Sequence, residues 1–231
     1  MVMPVSHPEK KYIFGIKDIV FLLSVFLILN LVVVIPVSDS ALGETKKIFI
    51  IEAIIPILVV SVIFSWLKKK KVNCLSVGLC IPSAGLFRPA IVSIFSAVAV
   101  KLIDYSFFTG SLADLDWNRY SIPAAFFLTM VYGIGRIVIT PFAEELIFRG
   151  VLYGYLRNRF GWKIGLVVQA IIFTMVHPQV YQGGFGTLCV YFLFGVVFGF
   201  LYQYYESLYP SFLCHCALNY TGTFLHFLSI V

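Results

Sequence analysis

The stretch PFAEELIFRG, residues 141–150, places two adjacent carboxylates and an arginine inside a chain otherwise rich in lipid-compatible side chains. An isolated charge in such surroundings costs several kcal/mol, so these residues call for a reason. On a helix Glu145 and Arg149 are four residues apart on one face and can neutralise each other, whereas Glu144 is rotated by about 100°. One carboxylate is thereby paired, and the other is left to find partners, as suits a general base in a low-dielectric site. The chain offers four histidines. His7 precedes the first hydrophobic run and His226, near the C-terminus, has no polar companion. His177 closes FTMVH, with Phe173 one turn earlier on the same face. His215 and Asn219, in HCALN, stand at i,i+4 on the last run and are aimed together.

The elements that must carry these groups are membrane spans. Of 231 residues 60% are hydrophobic and 12% charged, and the mean hydropathy is +0.96, outside the range of soluble domains. These values predict an all-α polytopic membrane helical bundle of about eight transmembrane helices, forming a single membrane domain over residues 1–231. The net charge of +6 does not point to nucleic acid, because the basic residues gather at the ends of hydrophobic runs, as topology signals do. The first run is longer than a signal-peptide core and no small-residue cleavage site follows it, so it reads as a retained span. The five cysteines show no CxxC pairing. Cys214 and Cys216 flank His215, but consecutive helix positions diverge by about 100° and do not converge on one ion.

The expected spans are Ile19 to Val37, Ile48 to Leu67, Phe87 to Tyr105, Ile122 to Ile139, residues 141–156, Ile164 to His177, Thr187 to Tyr205 and Leu208 to Val231. Four lysines at 68–71 put the end of the second span, and hence the N-terminus, in the cytoplasm. A polar loop, GSLADLDWNRYS, follows the third. Thr140-Pro141 reads as a helix restart, Thr being a good N-cap and Pro being tolerated at the first helical position. Lys101 and Asp104 can pair at i,i+3. Glu52 reads as an interfacial residue and Asn30 and Arg136 as interhelical glue.

Helix rise tests whether the polar groups can meet. With Phe160 as a hairpin turn, Glu144 and His177 both stand about 24 to 26 Å from it, side by side. Had residues 141–156 lain flat on the membrane, the two would be far apart, so eight crossings are favoured over seven. Eight crossings put Arg157, Arg159 and Lys163 on the outer face, against the positive-inside tendency. His215, about 10 Å from its own turn, falls about 14 Å short of Glu144. Tilt, a longer connection or a sunken hairpin would close the gap.

Glu144, Glu145 and Arg149 as EExxxR, Phe173 and His177 as FxxxH, and His215 and Asn219 as HxxxN, in this order on successive hydrophobic helices, resemble the CAAX-protease and bacteriocin-processing (CPBP, or Abi) family. The resemblance covers about 90 C-terminal residues and makes 122–231 the catalytic core, with 1–121 supplying N-terminal spans. It implies an intramembrane glutamate-type endopeptidase in which Glu144 and His177 activate water and His215 and Asn219 hold the oxyanion. Glu145, Arg149 and Phe173 are then supporting residues. The residue chemistry agrees: a carboxylate takes a proton from water, an imidazole relays it, and an amide with an imidazole donates to a tetrahedral oxygen. The substrate class is a membrane-associated peptide or protein tail, prenylated or a leader or signalling peptide. The expected setting is a bacterial cytoplasmic membrane, with the lipid bilayer as partner, no nucleic acid and no cofactor.

Two other readings use the same residues. Two glutamates and two histidines suffice for a catalytic zinc, but HExxH is missing and a Glu145 paired with Arg149 is a poor ligand, so no metal ligand is assigned. A non-catalytic bacteriocin-immunity or membrane scaffold protein would keep the motif for helix packing. A transporter would show repeat symmetry and ionisable residues along a pathway, and neither is evident.

Overall fold

A computed structural model of the chain describes residues 14–29, 50, 54–108 and 133–228. His7, Asn30, Glu52, the loop GSLADLDWNRYS and the first part of the expected fourth span lie outside the described residues. Among the described residues all regular structure is helical. The long rods are α1 (Ile16–Ile28), α2 (Ile55–Lys69), α3 (Phe87–Ile103), α4 (133–160), α5 (Trp162–Met175), α6 (Gly184–Tyr205) and α7 (Leu208–Leu228). Among them α6 is long and apolar enough to cross a membrane by length and composition alone.

Local chemistry fixes how α1 and α2 meet. The Asp18 carboxylate accepts the Gly15 N–H at the start of α1 (2.9 Å) and pairs with Lys70 just past the end of α2 (2.9 Å). Phe21 stacks on Trp66 at 4.5 Å, and the ammonium groups of Lys69 and Lys70 lie over the same indole. The N-terminal end of α1 and the lysine run therefore share one end of the bundle.

The helix that carries the acidic motif does not restart at Thr140-Pro141. Ile139 and Thr140 both have right-handed helical backbone angles, and residues 133–160 form one continuous rod. Proline is accommodated because the rod is already wide there. Over Gly135–Ile139 it follows i+5 hydrogen bonding, and the Thr140 N–H donates to the Gly135 carbonyl. Pro141 would be the next donor in that series but has no N–H. The Arg136 carbonyl it would have served accepts instead from Asn219 Nδ2 on α7 (2.9 Å), the kind of replacement that lets proline sit inside a membrane helix. The expected fourth and fifth spans thus merge over their described residues, which removes one reversal of direction from the eight-crossing scheme.

That correction also resolves the charge conflict. After α2 the chain forms a short turn, Cys74–Val77, and wedges against α4: a Cβ on Gly150 would stand 2.9 Å from the Val77 carbonyl oxygen, so only glycine permits this approach. The same segment holds the α6–α7 turn, with Leu208 N–H donating to Gly78 O (2.8 Å) and Ser207 Oγ to Cys80 O (2.6 Å). Arg157, near the α4–α5 turn, donates to Gln203 near the end of α6 (3.3 Å). The lysines at 68–71 and Arg157, Arg159 and Lys163 accordingly gather at one end of the bundle, not at opposite ends.

The remaining contacts close the bundle. α5 and α6 approach so nearly that a Cβ on Gly195 would lie 2.8 Å from Ala170 Cα, and buried Gln169 donates to the Gly195 carbonyl across that seam (2.7 Å). The buried Ser93 hydroxyl of α3 sits between the carbonyls of Pro89 and Pro210, fixing α3 to α7. Lys101 and Asp104 form the expected pair at 3.6 Å, and both are buried.

Candidate active site

Glu144 and Glu145 sit at the end of an α-helical stretch, Thr140–Glu145, after which α4 widens again over Leu146–Tyr153. Both carboxylates face the bundle interior; Glu145 and Arg149 are 0% exposed and Glu144 is 9% exposed. Arg149 Nη1 donates to Glu145 Oε1 at 3.0 Å, the i,i+4 pair read from the spacing. The guanidinium is also clamped between aromatic faces, 4.4 Å from the Phe173 ring centre and 4.9 Å from that of Phe198. Desolvated contacts of this kind favour a cation over a ring face.

Glu145 has a second partner that spacing did not foretell. Its Oε1 accepts from His215 Nδ1 at 2.9 Å, so one oxygen joins an arginine and an imidazole. With Nδ1 on Glu145, the other ring nitrogen of His215 faces Glu144, Nε2 to Oε2 being 3.7 Å. His177 is set in the same sense. Its Nδ1 lies 2.5 Å from the Phe173 carbonyl, which can only accept, so Nδ1 carries a proton and Nε2 is turned to Glu144 Oε2 at 3.6 Å. Phe173 thus supplies a carbonyl that fixes the His177 tautomer and a ring that covers Arg149.

The level of Glu144 and His177 follows from the α4–α5 hairpin. That of His215 follows from the wedge. Through Val77 and Gly78 the start of α7 is tied to the neighbourhood of Gly150, well inside the α4–α5 turn. From there Glu144 lies about 9 Å back along α4 and His215 about 10 Å on along α7, so the two reach similar depth. A sunken final turn closes the gap. Asn219 is placed to bridge helices: one of its amide hydrogens goes to the Arg136 carbonyl.

Three aromatic residues complete the surroundings without having been singled out in the sequence. Phe198 stacks on His215 at 4.6 Å, Tyr191 packs on His177 at 4.8 Å, and Phe148 meets Phe173 edge-on at 5.2 Å. Tyr191 and Phe198 are seven apart on α6, a same-face spacing, yet any apolar span offers such pairs. An apolar recess of about 380 Å³ opens at the α6–α7 turn, its wall including Phe142, Phe212, Leu208 and Cys80, and none of the polar groups lines it. Among the described residues no group of three or more His, Cys, Asp or Glu side chains is arranged to hold a metal ion.

Residues 125–221, which contain every one of these polar groups, match the family model described as Rce1-like, type II CAAX prenyl endopeptidase Rce1-like. This segment is Rce1-like. Comparison with curated proteins and with solved structures returned no significant match. The Rce1-like family is integral to the membrane, and its description is that of a protease acting on prenylated CAAX tails. Within the Rce1-like segment lie all three motifs, EExxxR on α4, FxxxH at the end of α5 and HxxxN on α7.

Proposed function

We propose that this chain is a polytopic intramembrane endopeptidase that hydrolyses a peptide bond in a membrane-associated, lipid-linked peptide. One observation carries the reading: in the Rce1-like segment, buried Glu144 Oε2 faces two imidazole Nε2 atoms at 3.6 and 3.7 Å. These separations exceed a direct hydrogen bond, and in this reading the three groups part slightly to admit one shared water. Glu144 takes a proton from that water as its oxygen adds to the scissile carbonyl. His177, with Nδ1–H held by a main-chain carbonyl, presents Nε2 to orient the water and relay the proton to the leaving amine. His215, protonated on both nitrogens, donates from Nε2 to the developing oxyanion, with the Asn219 side chain one turn further along α7.

Charge balance supports the division of labour. Glu144 and Glu145 contribute two negative charges, and Arg149 and a protonated His215 two positive ones. A cluster that is neutral overall is the form least penalised by burial.

The test uses the full chain in liposomes with a fluorogenic peptide ending in a farnesylated CAAX tail. Release of the terminal tripeptide is expected, and exhaustive chelation is expected to leave its rate unchanged. No release by the unaltered chain would defeat the endopeptidase reading. Activity lost on chelation and restored by zinc would recast Glu144, His177 and His215 as ligands, since an Nε2 and a carboxylate oxygen serve either purpose.

For orientation, the end bearing the lysines at 68–71, Arg157, Arg159 and Lys163 is placed on the cytoplasmic side, with the N-terminal end of α1 beside it. An impermeant thiol reagent should then label Arg159→Cys, in a background lacking the native cysteines, in inverted vesicles and not in intact cells. Labelling of intact cells would reverse the assignment.

A further inference from the structure

Beyond the proposed residues, α4 carries a buried hydroxyl, that of Thr140. Thr140 lies one turn before Glu144 in the α-helical stretch Thr140–Glu145 and so shares its face. Two cross-links between α4 and α7 bracket it. On one side Glu144 Oε2 meets His215 Nε2 at 3.7 Å, and on the other Asn219 Nδ2 donates to the Arg136 carbonyl at 2.9 Å. Thr140 is the residue of α4 midway between them, and helical pitch sets it opposite the part of α7 that carries His215 and Asn219. Thr140 Oγ1 is buried and makes no hydrogen bond. A helical threonine ordinarily returns its hydroxyl to the carbonyl one turn back. Here that carbonyl is Arg136 O, which carries the Asn219 amide.

A buried hydroxyl without a partner costs stability, and native structures keep such groups rarely. A partner that arrives with the substrate accounts for one at this position. We propose that Thr140 is a further catalytic residue, whose hydroxyl donates to the carbonyl oxygen of the substrate as negative charge collects there. The inference rests on the endopeptidase reading and extends it. As the water oxygen bonds to the carbonyl carbon, the π pair moves onto the carbonyl oxygen and the water's proton goes to Glu144. Collapse re-forms the carbonyl and breaks the C–N bond, with a proton delivered to the amine. Thr140 keeps its proton throughout and only donates a hydrogen bond, alongside His215.

The experiment compares Thr140→Val, which removes the hydroxyl at nearly constant shape, with Thr140→Ser, which keeps it. Both are assayed as full chains in liposomes on the farnesylated CAAX peptide, with thermal melting in parallel. Thr140→Val is expected to lower kcat roughly ten- to a hundredfold, somewhat less than loss of a strong oxyanion donor, with KM and melting temperature little changed. Thr140→Ser should stay within about threefold of the parent, as retention of the donor requires. Should Thr140→Val fold poorly, Thr140→Ala supplies the same comparison against Ser. If the valine or alanine variant turns over like the parent while Glu144→Gln is inactive, Thr140 plays no part and the hydrolase reading stands. Equal losses in the Val and Ser variants would show that the hydroxyl is not what matters. A parent that releases no peptide ends both proposals.

Discussion

Glu144→Gln is expected to cut turnover of a prenylated reporter peptide by about 10³-fold, within the range for loss of a general base, while the protein melts as before. The amide preserves the volume and the buried placement of the side chain but cannot accept a proton from water. Glu144 is suited to this comparison because its Oε2 lies beyond hydrogen-bonding distance of both imidazoles, so little static bonding is lost. Its partners, His177 through Phe173 O and His215 through Glu145, are oriented independently of it. A membrane scaffold or immunity protein that keeps EExxxR only for packing would be unaffected by the change. Reporter release by Glu144→Gln at a tenth of the parental rate or more would therefore remove Glu144 from the chemistry.

Arg149→Met should destabilise the fold by about 3–5 kcal/mol, as expected when one member of a buried ion pair is removed and the other stays charged. Glu145 is fully buried, and Arg149 supplies one of the two donors on its Oε1. The guanidinium also fills the space between Phe173 and Phe198, so Arg149→Lys, which lacks the planar fork, should recover only part of the loss. In the double variant Glu145→Gln/Arg149→Met no charge is stranded, and much of the stability should return. Unfolding in a defined detergent or bicelle measures all four proteins. A single-variant loss below about 1 kcal/mol, the value of an exposed pair, would mean that Glu145 is solvated or neutral and that the cluster's charge balance has been misread.

Several parts of this arrangement were open to reading along the chain. The i,i+4 geometry of Glu145 and Arg149 is a local consequence of helical pitch, and 3.0 Å between them follows from it. Likewise, Glu144 and His177 sit at one level because the hairpin near Phe160 is almost symmetrical about its turn. Other features escaped. Thr140-Pro141 carries the signals of a helix start, yet the helix runs through, since i+5 hydrogen bonding and an asparagine from another helix make good what proline removes. Counting crossings from that false start put the basic residues at 157–163 on the wrong end.

By itself, then, the sequence determined that the chain is helical and which polar side chains share a helical face, because pitch and rise repeat within each rod. Only the tertiary structure decided how deep one rod stands against another. His215 reaches Glu144 because a segment more than a hundred residues earlier, Val77 with Gly78, wedges at Gly150 and draws in the start of α7. The second bond of Glu145 and the stacking of Phe198 on His215 depend on that same offset. Rise per residue fixes distance along an axis, whereas relative depth is set by contacts between segments remote in the chain, and no spacing within either one records it.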